Sequence, residues 1–206
     1  SEMCIRDSIR RNHSATHLLH AALRQVLGTH VHQAGSLVDP ERLRFDFSHY
    51  QAMTEEEIKE VEKIVNEKVL ESIPVVTEIK SLKEAKAEGV MGLFEDKYGD
   101  VVRVLKMGPF SMELCGGTHV RNTSEIGLFK IVSETGVAAG VRRIEAITGH
   151  ASYKYVLKNE ELIKSIEGRM KTTRENIEQR LGEMEKIEKE QRKEIESIKA
   201  KLLGNA

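Results

Sequence analysis

The residues of this chain best suited to chemistry fall in two short motifs about a hundred positions apart. His13-Ser14-Ala15-Thr16-His17 lies in an amphipathic segment, and Cys115-Gly116-Gly117-Thr118-His119 lies in a Gly-rich turn. Each places two soft or borderline ligands four positions apart. Together they offer one thiolate and three imidazoles, a full donor set for one Zn2+. On a helix, residues four apart share a face with Cβ atoms about 5–6 Å apart, so His13 and His17 can grip one ion. His20 lies near the same face. Two glycines let the second segment fold tightly around a metal. Taken alone, helical histidines often just fill a polar edge, and Cys115 reads as a buried apolar thiol. The joint pattern is what points to metal.

The first motif lacks the Glu of His-Glu-x-x-His, so the general base of a zinc metalloprotease is absent. No Asp or Glu stands beside either motif as an evident base. Four protein ligands close a zinc, and closed sites are usually structural. Catalysis at such a site needs a loose ligand, a fifth position, or an ion that only positions substrate.

These motifs must be carried by regular elements. Ala15, Leu18, Leu19, Ala22, Leu23, Val26 and Leu27 recur at three- and four-residue spacings, which predicts a helix from His13 to Leu27. Asn12 is read as its N-cap and Gly28 as its stop. His30 to Val38 and Leu43 to His49 read as strands joined by an Asp39-Pro40 turn. In the second, Leu43, Phe45 and Phe47 alternate with polar residues. Thr54 with Glu57, and Ser81 with Glu84, form capping-box patterns that start two further helices, the second closed by Gly89. Val75 to Ile79, Val101 to Met107, Ser111 to Leu114, Leu128 to Ser133 and Val141 to Thr148 read as strands. The sum is a mixed α+β fold with hairpins and no βαβα rhythm.

After Gly149 the composition changes. Residues 151–206 are rich in Glu, Lys, Arg, Ile and Leu, with no Pro. A narrow apolar stripe runs from Ile163 to Leu202 with recurring steps of eleven residues. This predicts a long helix or helix pair, coiled-coil-like and able to self-associate, with Gly168 and Gly182 as candidate breaks.

The chain has 206 residues, 39% apolar and 32% charged, with a net charge of -1. That suffices for one real core and a second smaller unit. It excludes a broad basic field, so any nucleic-acid contact must be local. Two cysteines in a chain of this length argue against a secreted disulfide scaffold and for a reducing, cytoplasmic setting. No run is long enough to span a membrane and no signal-peptide pattern is visible. The start at Ser1 and the stop just after a charged helix suggest a piece of a longer protein.

Gln33, beside Ala34, Gly35 and Ser36, offers an amide in a narrow pocket, or simply ends a strand. Gly136-Val137-Ala138-Ala139-Gly140 reads as a small-residue loop before Arg142 and Arg143, a candidate phosphate-binding turn. A hairpin loop followed by solvated arginines explains it equally well. Arg10 and Arg11, just before the first motif, are open to the same two readings.

The chain resembles the editing domain of alanyl-tRNA synthetase. The likeness rests on Arg11-Asn12-His13-Ser14-Ala15-Thr16-His17-Leu18-Leu19-His20, His32-Gln33-Ala34-Gly35-Ser36, Arg44-Phe45-Asp46-Phe47-Ser48-His49, Glu113 to His119, and Gly136 to Ile144, in the family's order. It covers residues 10–150. Residues 1–9 form an unassigned N-terminal segment, and residues 151–206 resemble the start of that synthetase's C-terminal helical region. The resemblance implies an antiparallel-sheet domain with packed helices, of the threonyl/alanyl-tRNA synthetase second additional domain type. It implies a zinc-dependent deacylase acting on the acceptor end of tRNA(Ala) mischarged with serine or glycine. His13, His17, Cys115 and His119 match the family's zinc ligands. Gln33 matches a substrate-pocket position, with Thr16 as a second candidate for sensing the serine hydroxyl and Cys115 at the catalytic centre. Arg11, Gly136, Gly140, Arg142 and Arg143 are the candidate tRNA contacts. The family's aminoacylation domain, with its ATP site, is not in this chain. The competing readings are a free-standing trans-editing hydrolase, a non-catalytic zinc-stabilised tRNA-binding module, and a coiled-coil assembly protein capped by the first 150 residues.

Overall fold

A computed structural model of the chain describes residues 2–90 and 99–204. Ser1 and the last two positions of the predicted tail lie outside the described residues. The chain divides into two units at Lys154/Tyr155.

In the first unit, alternation builds the main sheet. β1 (Gln33–Val38), β2 (Leu43–Ser48), β6 (Phe129–Ala138) and β7 (Val141–Thr148) pair antiparallel in the order β1-β2-β7-β6. Leu43, Phe45 and Phe47 on β2, Ile144 and Ala146 on β7, and Phe129 and Ile131 on β6 are buried in one core. Their two-residue spacing puts them on one face of the sheet. α1 (Glu2–Leu27) and α2 (Glu55–Leu70) join this core through Ala15, Leu18, Leu19, Ala22 and Leu23, and through Val61, Ile64, Val65 and Val69. Fully burying one such side chain contributes about 1.5–3 kcal/mol. The capping box at Thr54 is formed, with Glu57 N–H donating to the Thr54 hydroxyl and the Glu57 carboxylate accepting from Thr54 N–H.

β3 (Val75–Ser81), β4 (Val101–Met107) and β5 (Ser111–Leu114) make a second antiparallel sheet in that order. β4 is buried on both sides. Leu105 and Met107 enter the main core, while Val102 and Val104 pack with Leu114 and with Ala85 of α3 (Leu82–Ala87). Glu113 stands opposite Leu105 in the register, so it faces the main core and α1.

Three expectations are corrected. α1 begins at Glu2, so Asn12 is a mid-helix residue and no N-cap. It is 1% exposed, and its side chain donates to the Asp39 carbonyl and accepts from the Thr148 hydroxyl, tying α1 to the β1–β2 turn and to β7. The stop at Gly28 holds, with φ +118°. Second, the loop read at Gly136 to Gly140 is mostly strand. β6 runs to Ala138, and Gly140 at φ +71° makes the hairpin turn. Third, Gly168 and Gly182 lie within helices.

The second unit continues α4 (Gly149–Met170) and contains α5 (Ile177–Gly204). The chain breaks between them at Lys171, with φ 50°, followed by a short 3-10 turn at Arg174–Asn176. Leu181, Met184, Ile187, Ile195, Ile198 and Leu202 of the predicted stripe are all exposed.

Candidate metal centre

Two segments meet to build the site. On α1, His13, His17 and His20 share the helix face turned to β5, while the leucines beside them enter the core. The β5 strand places Glu113 and, two positions on, Cys115 on the side facing α1. The Cys115 N–H donates to the Arg103 carbonyl, so the β4 pairing continues one step past the strand.

His13, His17, Cys115 and His119 each offer one ligand atom, all within 4.8 Å of one another. Cys115 Sγ lies 3.6 Å from His13 Nε2 and 3.3 Å from His119 Nε2. Zinc bond lengths in a tetrahedron would separate sulfur and nitrogen donors by about 3.6 Å. His17 is 6% exposed, and its Nε2 is buried without a hydrogen-bond partner among the described residues. An orphaned imidazole nitrogen beside a thiolate and two more imidazoles fits a zinc ion.

The surrounding shell holds these donors in place. Glu113, 2% exposed, bridges His17 Nδ1 at 2.6 Å and His20 Nδ1 at 2.8 Å. A carboxylate on Nδ1 directs Nε2 of His17 toward a metal. The Ser14 hydroxyl lies 3.2 Å from His119 Nδ1 and accepts from Val120 N–H, joining α1 to the turn. Arg103 donates to the carbonyls of Cys115 and Gly117 at 2.8 and 2.7 Å and braces the turn. Gly117 has no substitute in this geometry, because a Cβ there would collide with the His13 ring.

The charges are arranged for a cation. Burial pushes the Cys115 thiol up, but hydrogen bonding from His119 and His13 and the nearness of His17 override it and bring the pKa down to about 3. Burial opposes a charge on His17, yet Cys115 and the Glu113 carboxylate raise it to about 9. Burial lowers His119 to about 4, against the pull of Cys115. Burial likewise opposes ionisation of Glu113, and His17 and His20 reverse this, holding it at about 2.

Glu113, Ser14 and Arg103 were not singled out from sequence. Glu113 lies beside the second motif, but both of its oxygens are taken by His17 and His20, so it is no evident general base. Its signal was a charged residue on the inward face of a strand, in step with Cys115.

The other candidates sit elsewhere. The Thr16 hydroxyl donates to the Asn12 carbonyl at 2.9 Å, a bond within the helix. Gln33 opens β1 opposite Phe47, half-buried, and its amide makes no hydrogen bond among the described residues. Arg142 grips Glu134 through two bonds of 2.6 and 2.8 Å, and Arg143 grips Asp46 through two of 2.7 and 2.8 Å. The Arg142 guanidinium also lies over Gly136, where a Cβ would come within 2.8 Å of it. Arg11 donates to the Ser8 hydroxyl at 3.3 Å. Among the described residues, no helix is long and apolar enough to cross a membrane.

Residues 102–145 match the family model described as Threonyl and Alanyl tRNA synthetase second additional domain. The whole chain is similar to proteins named alanine--tRNA ligase. The one from Fervidobacterium nodosum is 59% identical over 199 residues, which is 97% of this chain and 23% of that protein. The one from Alkaliphilus oremlandii is 52% identical over 205 residues, 100% of this chain and 23% of that protein, so the likeness runs into residues 1–9. The one from Thermoanaerobacter sp. is 54% identical over 197 residues, 96% of this chain and 22% of that protein. The chain thus spans less than a quarter of the length of these curated relatives, and the resemblance drawn from its motifs extends along all of it.

Proposed function

From a chain with the sequence of an alanyl-tRNA synthetase fragment carrying the second additional domain, we propose that residues 10–150 edit mischarged tRNA. The reaction is hydrolysis of the ester joining serine or glycine to tRNA(Ala), in the cytoplasm. The parent protein would attach alanine to the same tRNA. The observation that carries this reading is the convergence of His13, His17, Cys115 and His119 within 4.8 Å around an orphaned imidazole nitrogen.

A small pocket that selects alanine rejects serine or glycine only about 10–200-fold. A second, hydrolytic site is the general remedy. It must refuse alanine, and a polar group matched to the serine hydroxyl would do so, because alanine leaves it unpaired. Gln33, whose amide makes no hydrogen bond among the described residues, is the first candidate, and Thr16, bonded to the Asn12 carbonyl, is the second. Glycine needs only a site that binds alanine poorly.

His13, His17, Cys115 and His119 would hold zinc, which supplies Lewis acidity to polarise the ester carbonyl or a water. Glu113 keeps the Nδ1 protons of His17 and His20 engaged and leaves His17 Nε2 free to ligate. Because both of its oxygens are so engaged, Glu113 is a poor general base. Ser14 orients His119, and Arg103 holds the turn against the helix.

The four-ligand donor set favours one second reading, a structural zinc in a module that binds tRNA without cleaving it. Hydrolysis of serine-, glycine- and alanine-charged tRNA(Ala), followed side by side, separates the two. Editing expects loss of the first two charges and survival of the third. Binding without cleavage of any would leave the structural module. Cys115→Ala should remove zinc and lower hydrolysis more than about a hundredfold. Full hydrolysis after complete zinc loss would take the metal out of the mechanism.

A further inference from the structure

We propose that the cavity lined by Arg10, Arg11 and Arg121 beside His119 is a phosphate site for the single-stranded 3′ end of an RNA. The identification of that RNA as an aminoacyl-tRNA rests on the editing reading. The cavity has a volume of about 500 Å³. This lies within the usual range for ligand pockets, about 300–1,000 Å³. Its position follows from the two segments that build the metal centre. Arg10 and Arg11 stand less than one turn before His13 on α1, and Arg121 stands two residues after His119. His119 is shared, lining the cavity while its Nε2 lies 3.3 Å from Cys115 Sγ.

The guanidiniums here are largely uncommitted. Arg121 makes no side-chain hydrogen bond or ion pair among the described residues. Among the described residues Arg10 has only Asp7, at 3.6 Å, and its Nε is buried without a partner. Among the same residues Arg11 reaches only the Ser8 hydroxyl, at 3.3 Å. Asp7 and Glu125 also line the cavity, but Glu125 has no guanidinium within ion-pair reach among the described residues. Three arginine forks around one cavity match phosphodiester oxygens. In a chain of net charge -1, this is the local cationic patch that nucleic-acid contact requires. The placement also suits the chemistry. The scissile ester of an aminoacyl-tRNA lies within one nucleotide of its first phosphodiester, so phosphate contacts must begin beside the ligands.

The test uses the full zinc-loaded chain and a synthetic RNA hairpin ending in single-stranded ACCA, titrated over a range of KCl concentrations. Arg121→Gln and Arg10→Gln should each weaken binding about tenfold and lower the salt slope by about 0.7, the value of one single-strand phosphate contact. Zinc content should stay at the wild-type level, which shows that the metal centre is still assembled. Lys63→Gln, on the exposed face of α2, should bind as wild type. Unchanged affinity and slope in both arginine variants would overturn the proposal. Arginine-dependent binding without hydrolysis of serine-charged tRNA would sink the editing reading and keep the phosphate site. Hydrolysis with arginine-independent binding would do the reverse.

Discussion

The candidate metal centre and the β6–β7 hairpin both attract notice in the sequence, yet the structure treats their polar groups in opposite ways. In the hairpin the two conspicuous arginines are matched, Arg142 by Glu134 and Arg143 by Asp46, each through a two-pronged contact. At the junction of α1 and β5 the reverse holds. His17 Nε2 is sealed from solvent with no hydrogen-bond partner among the described residues, and Cys115 is held as a thiolate by histidines. A matched pair is a finished piece of architecture. A buried donor set with an open position is an arrangement completed by something else. The arginines that line the cavity beside His119 fall on the unfinished side of this contrast.

Breaking the unfinished region should have the larger consequences. Gly117→Ala forces a methyl into the His13 ring, so it should displace a ligand and lower deacylation about a hundredfold. The circular dichroism spectrum should stay that of the native fold. An unaffected deacylation rate would show that His13 has room to move aside. Glu113→Gln keeps the volume but removes the charge that two histidines share. Zinc affinity, measured against a chelator, should fall about 10–100-fold. An unchanged affinity would remove Glu113 from the ligand-positioning shell.

The pH dependence sharpens the same contrast. In the metal-free protein His17 keeps its proton up to about pH 9, so metal uptake below that pH must expel it. Zinc affinity should therefore rise about tenfold per pH unit and level off above the His17 pKa. Cys115, at about 3, and His119, at about 4, have already lost their protons at neutral pH and add nothing to the slope. The His17 proton stabilises the metal-free fold in full below pH 6.5, and this is lost as pH rises through about 9. A flat affinity profile between pH 7 and 9 would contradict the His17 assignment. The smallest effect belongs to the finished region. Arg142→Gln should lower the thermal midpoint by a few degrees, with RNA affinity and salt slope unchanged. A loss of RNA affinity there would restore the hairpin as a tRNA contact.

Much of this molecule was legible because local chemistry and tertiary structure agree. The capping boxes at Thr54 and Ser81 form, Leu43, Phe45 and Phe47 are buried as their alternation requires, and His13, His17, Cys115 and His119 gather into one cluster. The failures share one cause, tertiary partners that no local pattern reveals. Asn12 has the chemistry of a cap, but its side chain bonds to Asp39 and Thr148, far along the chain. Gly136 and Ala138 have little strand propensity, and pairing with β7 makes them strand. Arg121 carries no signal of its own, since its role depends on the turn returning to α1. The break in the tail falls at Lys171 and not at a glycine, although Gly168 and Gly182 cost helix stability where they stand.

α1 carries the candidate ligands on one face and Leu18, Leu19 and Leu23 on another, all three of them fully buried. The helix cannot fray locally at His13 or His17 without tearing the hydrophobic interior. Amide exchange along this stretch should therefore proceed only at the rate of whole-domain opening, and a captured ion would be released on that timescale. A mount so stiff gives the donors little freedom to adapt to a metal of another radius.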